Sequence, residues 1–156
     1  MTASANLGNL TDLEMVERHR ASFNEKVAKM QDAASKNSKF LTRADQDKKV
    51  ARLLALNNVG EKSTLEDMNL TRSLAVLNIE KNGQIVRKLI KRGSTLRYVP
   101  VEELFDVLIF EHGLTEHGGR DIMHDKISKK YANVTIVIIK AFLQTCLQCC
   151  LKKVQN

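Results

Sequence analysis

Between Thr11 and Ala34 the apolar residues recur at helical spacing. Leu13, Val16, Phe23, Val27 and Met30 occupy heptad a and d positions, with Arg20 in the remaining a slot. Thr11 is placed to cap the start. Two readings fit: an amphipathic helix packed on its own chain, or a short homodimeric coiled coil. Three heptads with a charged a position add little stability alone, so the first is preferred. After the polar "SKNSKF", Val50, Leu53 and Leu54 predict a second helix over 42–56, broken by "NNVGEKS". Ser63 and Glu66 form a capping-box pattern for a third helix over 64–77. "KNG" at 81–83 reads as a turn between "SLAVLNI" and "QIVRKLI", so the end of that helix can instead be a strand.

The pattern changes at "STLRYVPVEEL". Residues 95–99 alternate like a strand, and Pro100 ends that run. Pro100 also suits the start of a helix whose first turn holds Glu102 and Glu103, where acids meet the positive helix end. Leu104, Phe105, Leu108 and Ile109 form its apolar face, and Gly113 is the predicted stop. A second helix over 120–130 carries Ile122, Met123 and Ile127. A third, "IVIIKAFLQTCLQCC", is capped by Thr135 and carries Ile138, Ile139, Phe142 and Leu143. The fold class is mainly α: N-terminal helices, a short hairpin-like stretch, then three short helices. Three such helices enclose a very small core, and a unit of that size usually needs a staple.

Composition narrows the options. Of 156 residues, 43% are apolar, enough for a core, but only 4% are aromatic and none is tryptophan. The core is therefore aliphatic, and base-stacking readers of single-stranded nucleic acid are disfavoured. A net charge of +7 favours acidic partners such as DNA. No apolar run is long enough for a membrane helix, and the first residues lack a signal-peptide pattern. An intracellular protein is expected, in the nucleus in preference to the cytoplasm. The sequons at Asn9, Asn69 and Asn133 are then accidental. All three cysteines lie within "TCLQCC", which points to metal rather than to a disulfide framework.

The need for a staple joins the histidines to the cysteines. His112-x4-His117 and Cys146-x2-Cys149 are 28 residues apart, and both spacings suit structural zinc. On an unbroken helix, residues five apart diverge by about 140°. Gly113 is expected to end the helix and let His117 swing back. Cys146 and Cys149 are neighbours at i and i+3 on one helix face. Cys150, at i+4, is equally reachable; pair spacing favours Cys149. His124 is expected to be exposed, and His19 has no assigned role. Four ligands close the shell, so the zinc is expected to be structural, one per chain, with no catalytic residue. Protease, deaminase, phosphate-loop and nucleophile-elbow patterns are all absent.

"YVP", "HGGRD", "KKYANVT" and "CLQCCLKK" stand in order around these ligands. Over residues 96–153, and more weakly over "NIEKNGQIVRKLIKR", the chain resembles the His-His-Cys-Cys zinc-binding domain of retroviral and gypsy-type integrases. The version in integrase-derived host proteins with KRAB-A or SCAN domains is the most similar. The resemblance implies a three-helix, zinc-stapled fold with His112, His117, Cys146 and Cys149 as ligands. It also implies multimerisation and contact with DNA ends, for which Arg120, Lys126, Lys129 and Lys130 are the candidate phosphate contacts. The expected organisation is a helical extension over 1–60 (a candidate coiled coil), a linking helix and hairpin over 61–94, and the integrase-like domain over 95–153. In integrases an Asp/Asp/Glu core follows, whereas this sequence stops seven residues after Cys149. The expected function is a non-catalytic interaction module derived from a retroelement integrase, binding DNA, a protein partner or a second copy, with no membrane role. The alternative is a fragment of an integrase- or transposase-like enzyme.

Overall fold

A computed structural model describes residues 11–33, 40–57 and 64–150. Ser63 and Asn9 lie outside these residues, as do the lysines after Cys150. The fold is mainly α. In chain order it has α1 (Asp12–Ala33), α2 (Arg43–Leu56), α3 (Leu65–Ser73), β1 (Leu74–Lys81), β2 (Gln84–Lys91), a short 3-10 turn (Val101–Glu103), α4 (Leu104–Leu114), α5 (Arg120–Ser128) and α6 (Ile136–Thr145). Among the described residues no helix is long and apolar enough to cross a membrane.

Side-chain caps set several helix starts. The hydroxyls of Thr11, Thr42 and Thr135 accept from the backbone N–H groups of Glu14, Asp45 and Ile138. The capping box of α3 sits one residue later than expected. Thr64 accepts from the Asp67 N–H, and the Asp67 carboxylate accepts from the Thr64 N–H. Arg52 of α2 grips the same carboxylate with two bonds of 2.8 and 2.7 Å, which holds Asp67 as the box partner. The Arg52 guanidinium, together with the Thr64 N–H, keeps the Asp67 carboxyl well below the usual carboxylate range.

Helix α3 stops at Ser73, and the strand alternative holds from Leu74. Strands β1 and β2 pair antiparallel, Leu74 opposite Lys91 through Lys81 opposite Gln84. Asn82 and Gly83 both have positive φ (53° and 77°), the geometry of a two-residue type I′ turn. Residues 95–99 contribute only single bridges. Arg97 bridges Ile90 on one side and Tyr131 on the other.

The chain forms two compact units, interleaved in sequence. The first comprises Met1–Ser38, Phe105–His124 and Thr135–Asn156; the second comprises Lys39–Leu104 and Asp125–Val134. In the second unit Leu41, Leu53, Leu74 and Leu89 form a buried aliphatic cluster with Val50, Leu70, Val76 and Tyr98 packed against it. Asn133 there clamps Val99 at both backbone groups, accepting from its N–H at 2.8 Å and donating to its C=O at 3.0 Å.

The core of the first unit is mostly aliphatic, with Val27, Leu108, Met123, Ile138 and Ile139 buried, but three phenylalanines are gathered within it. Phe23, Phe105 and Phe142 form a triangle with ring centroids 5.8–5.9 Å apart. Few aromatics suffice because these three are gathered in one place. Val27 is buried beside Phe23 on α1, while Leu13 is 71% exposed. The apolar stripe of α1 is thus used within the unit over Phe23 and Val27 and leaves Leu13 outside.

Candidate metal centre

Both histidines are set by the end of α4. The helix runs through Gly113 to Leu114, one residue beyond the predicted stop, and Gly113 has no positive φ. The break comes later, at Glu116 (φ 53°) and His117 (φ 62°). The His117 N–H donates to the His112 carbonyl at 3.0 Å, and the Glu116 N–H donates to the Gly113 carbonyl at 3.1 Å. This pair of bonds is the Schellman motif, with Glu116 at the left-handed position usually held by glycine. The motif brings together the two residues five apart that bound it, often through an apolar contact. Here those residues are His112 and His117, with rings 4.4 Å apart and nearly perpendicular. The x4 spacing that an unbroken helix cannot use is therefore native to this helix ending.

The following turn is tied down by Thr115. Its hydroxyl donates to the His112 carbonyl at 3.0 Å and accepts from the Gly118 N–H at 3.1 Å. A Cβ on Gly118 would stand 3.0 Å from both Thr115 and Ile122 side-chain atoms, so a larger residue there needs those side chains to give by a few tenths of an ångström.

The cysteines come from a second broken helix rather than one continuous face. Helix α6 ends at Thr145, Cys146 is extended (ψ 110°), and residues 147–150 return to helix. The Thr145 hydroxyl bonds back to the carbonyls of Ala141 and Phe142, both at 2.9 Å, an arrangement that bends helices. Cys146 is buried, Cys149 half-buried and Cys150 exposed. The Cys150 sulfur faces the Gln144 carbonyl instead.

Four donor atoms converge. His112 Nε2 lies 2.8 Å from His117 Nδ1, 3.2 Å from Cys149 Sγ and 3.5 Å from Cys146 Sγ. His117 Nδ1 lies 3.8 Å from Cys146 Sγ and 3.7 Å from Cys149 Sγ. All four lie within 4.8 Å of one another, close enough to hold a metal ion. Ligand bonds of about 2.0–2.3 Å in a tetrahedron place donors about 3.3–3.8 Å apart. The mixed N–S distances match, and the nitrogen pair is closer. His112 reaches from the helix with its far nitrogen, and His117 from the turn with its near one.

The pattern reading missed His19. It is 4% exposed on α1, and its Nε2–H donates to the Phe142 carbonyl at 2.9 Å. Its ring lies edge-on to Phe105 at 5.0 Å. Burial pushes its pKa down, against the opposing pull of the Phe142 carbonyl. Phe142 also meets the His112 ring edge-on at 5.3 Å, so the phenylalanine cluster backs the ligand set directly. The signal available was position: His19 stands four residues before Phe23 on the same stripe. His124 is half-buried rather than exposed. Arg120, Lys126, Lys129 and Lys130 are all exposed. Arg120 and Lys129 each pair with an acid on their own helix or turn, Asp121 at 3.2 Å and Asp125 at 3.4 Å.

No protein-family model matches the chain, and no solved structure matches it. The human protein described as KRAB-A domain-containing protein 2 is 28% identical to it over 145 residues. That alignment covers 92% of this chain and 29% of the relative, so the chain spans less than a third of the protein it is similar to.

Proposed function

We propose that the chain is a non-catalytic zinc-binding interaction module of retroelement-integrase descent that binds DNA or a protein partner. The convergence of two imidazole nitrogens and two sulfurs within 4.8 Å carries this reading. That donor set suits zinc in a closed tetrahedron, with no position left for water or substrate. The likeness to a KRAB-A domain-containing protein is consistent with the descent, and the net charge of +7 favours an acidic partner. Metal analysis of the purified full chain tests it. About one zinc per chain is expected. Cys149→Ser should lose it together with helicity, because ligand binding and folding are coupled. Cys150→Ser should keep both. Full helicity and cooperative melting in excess chelator would sink the reading.

A second reading makes the same module one part of a longer integrase- or transposase-like enzyme. The relative's greater length supports keeping it. An open reading frame that continues past residue 156 into an Asp/Asp/Glu core would select it.

A further inference from the structure

The formal charge is divided unequally between the two units. The first holds nine Lys/Arg and nine Asp/Glu; the second holds sixteen and nine, which is the whole excess of +7. Within the second unit the excess is concentrated. Residues 81–101 contain Lys81, Arg87, Lys88, Lys91, Arg92 and Arg97 and no acid. All six are exposed except Lys88, which is half-buried.

The fold joins Lys88 and Arg97 of this run to two more cations, while Arg87 and Lys91 alternate onto the other face of the hairpin. Arg97 is fixed by its backbone, donating to the Lys130 carbonyl at 3.0 Å and accepting from the Ala132 N–H at 2.8 Å. That bridge lays Lys129, Lys130 and Tyr131 beside Arg97 around a cavity of about 390 Å³, whose wall includes Leu77 and Thr95. Lys88 is directly opposite Leu77 across the hairpin, on the same face. The other face, with Leu74, Val76 and Leu89, is packed into the aliphatic core.

We infer that the β1–β2 ribbon, with Arg97 and the 129–131 turn, is a binding surface for the phosphate backbone of duplex DNA. Each strand has eight residues, about 27 Å at about 3.4 Å per residue. A two-stranded ribbon of that kind fits the major groove of B-form DNA, whereas the deep groove of duplex RNA excludes it. Tyr98 and Tyr131 are the only tyrosines and tryptophan is absent, so contact is with phosphates rather than stacked bases. Binding should be strongly salt-dependent and tolerant of sequence. The inference deepens the DNA part of the proposed function. It moves the phosphate contacts from the α5 face to the ribbon, and no metal ligand belongs to it.

The test is fluorescence anisotropy of the full chain with a mixed-sequence duplex of about 20 base pairs across a salt series. Lys88→Gln/Arg97→Gln/Lys129→Gln should weaken low-salt binding about tenfold or more. It should also shrink the log–log salt slope by about 2–3, at about 0.9 per lost phosphate contact. Helicity and metal content should match wild type. Arg120→Gln/Lys126→Gln should change binding less than threefold. The inference is overturned if the ribbon triple variant binds like wild type, if wild type ignores the duplex at low salt, or if it prefers anionic vesicles. A chain that holds no metal yet binds duplex through the ribbon keeps this inference and removes the zinc reading.

Discussion

The two units solve the problem of a small core in different ways. The first has no net charge and gathers three phenylalanines, His19 and all four candidate ligands around α6. The second has only aliphatic side chains and one tyrosine in its cluster, with polar clamps at Arg52–Asp67 and Asn133–Val99. It also carries the full basic excess. Candidate chemistry and charge therefore reside in separate units, and perturbing one should leave the other largely in place.

Chelation should give the largest contrast. Structural zinc in small domains contributes about 10–16 kcal/mol of apparent binding free energy, so α4 and α6 should lose amide-exchange protection. The β1–β2 hairpin should retain it; equal loss in both would break the division. Core truncation comes next. Phe142→Ala should cost about 3–5 kcal/mol and Leu89→Ala about 2–5 kcal/mol. Only the Phe142 variant should also weaken metal retention, read by competition with a chromogenic chelator.

Acid should act on the second unit through Asp67. Its folded-state pKa is depressed below the ordinary 3.8. The Arg52–Asp67 contribution is therefore present above that value and lost as pH falls below it. Melting temperature should drop more steeply between pH 4 and pH 2 in wild type than in Asp67→Asn. The smallest effects concern the helix ending. Gly113→Ala should stabilise by about 0.5–1 kcal/mol, since Gly113 is an ordinary helical residue with open space around it. Glu116→Gly should relieve left-handed strain of about 1 kcal/mol. Both should retain the metal. Loss of metal in Gly113→Ala would restore the glycine-hinge idea.

The legible parts of the fold were those with a local cause. Thr11 and Thr135 announced their helices because a hydroxyl can cap only the turn that follows it. The Lys-Asn-Gly turn declared a hairpin through its need for positive φ. Spacing and residue type also picked out the four residues whose donor atoms converge, with Cys149 ahead of Cys150. Less legible was the break that makes the histidine pair usable. Glycine attracted the reading to position 113, while the chain pays left-handed strain at Glu116 and His117 instead. The cysteine helix was likewise read as continuous, because the back-bonding of Thr145 has no signature in apolar periodicity.

The sequence by itself determined the donor set, the element order and the size of the charge excess, since each follows from residue identity and short-range spacing. Tertiary structure alone decided where these properties meet. It buried His19 against Phe142, concentrated a sparse aromatic content into one cluster, and assigned the basic ribbon and the candidate ligands to different units. Those outcomes depend on contacts between segments as far apart as His19 and Phe142. Local propensity cannot encode them, because their energy arises only when distant surfaces leave water together.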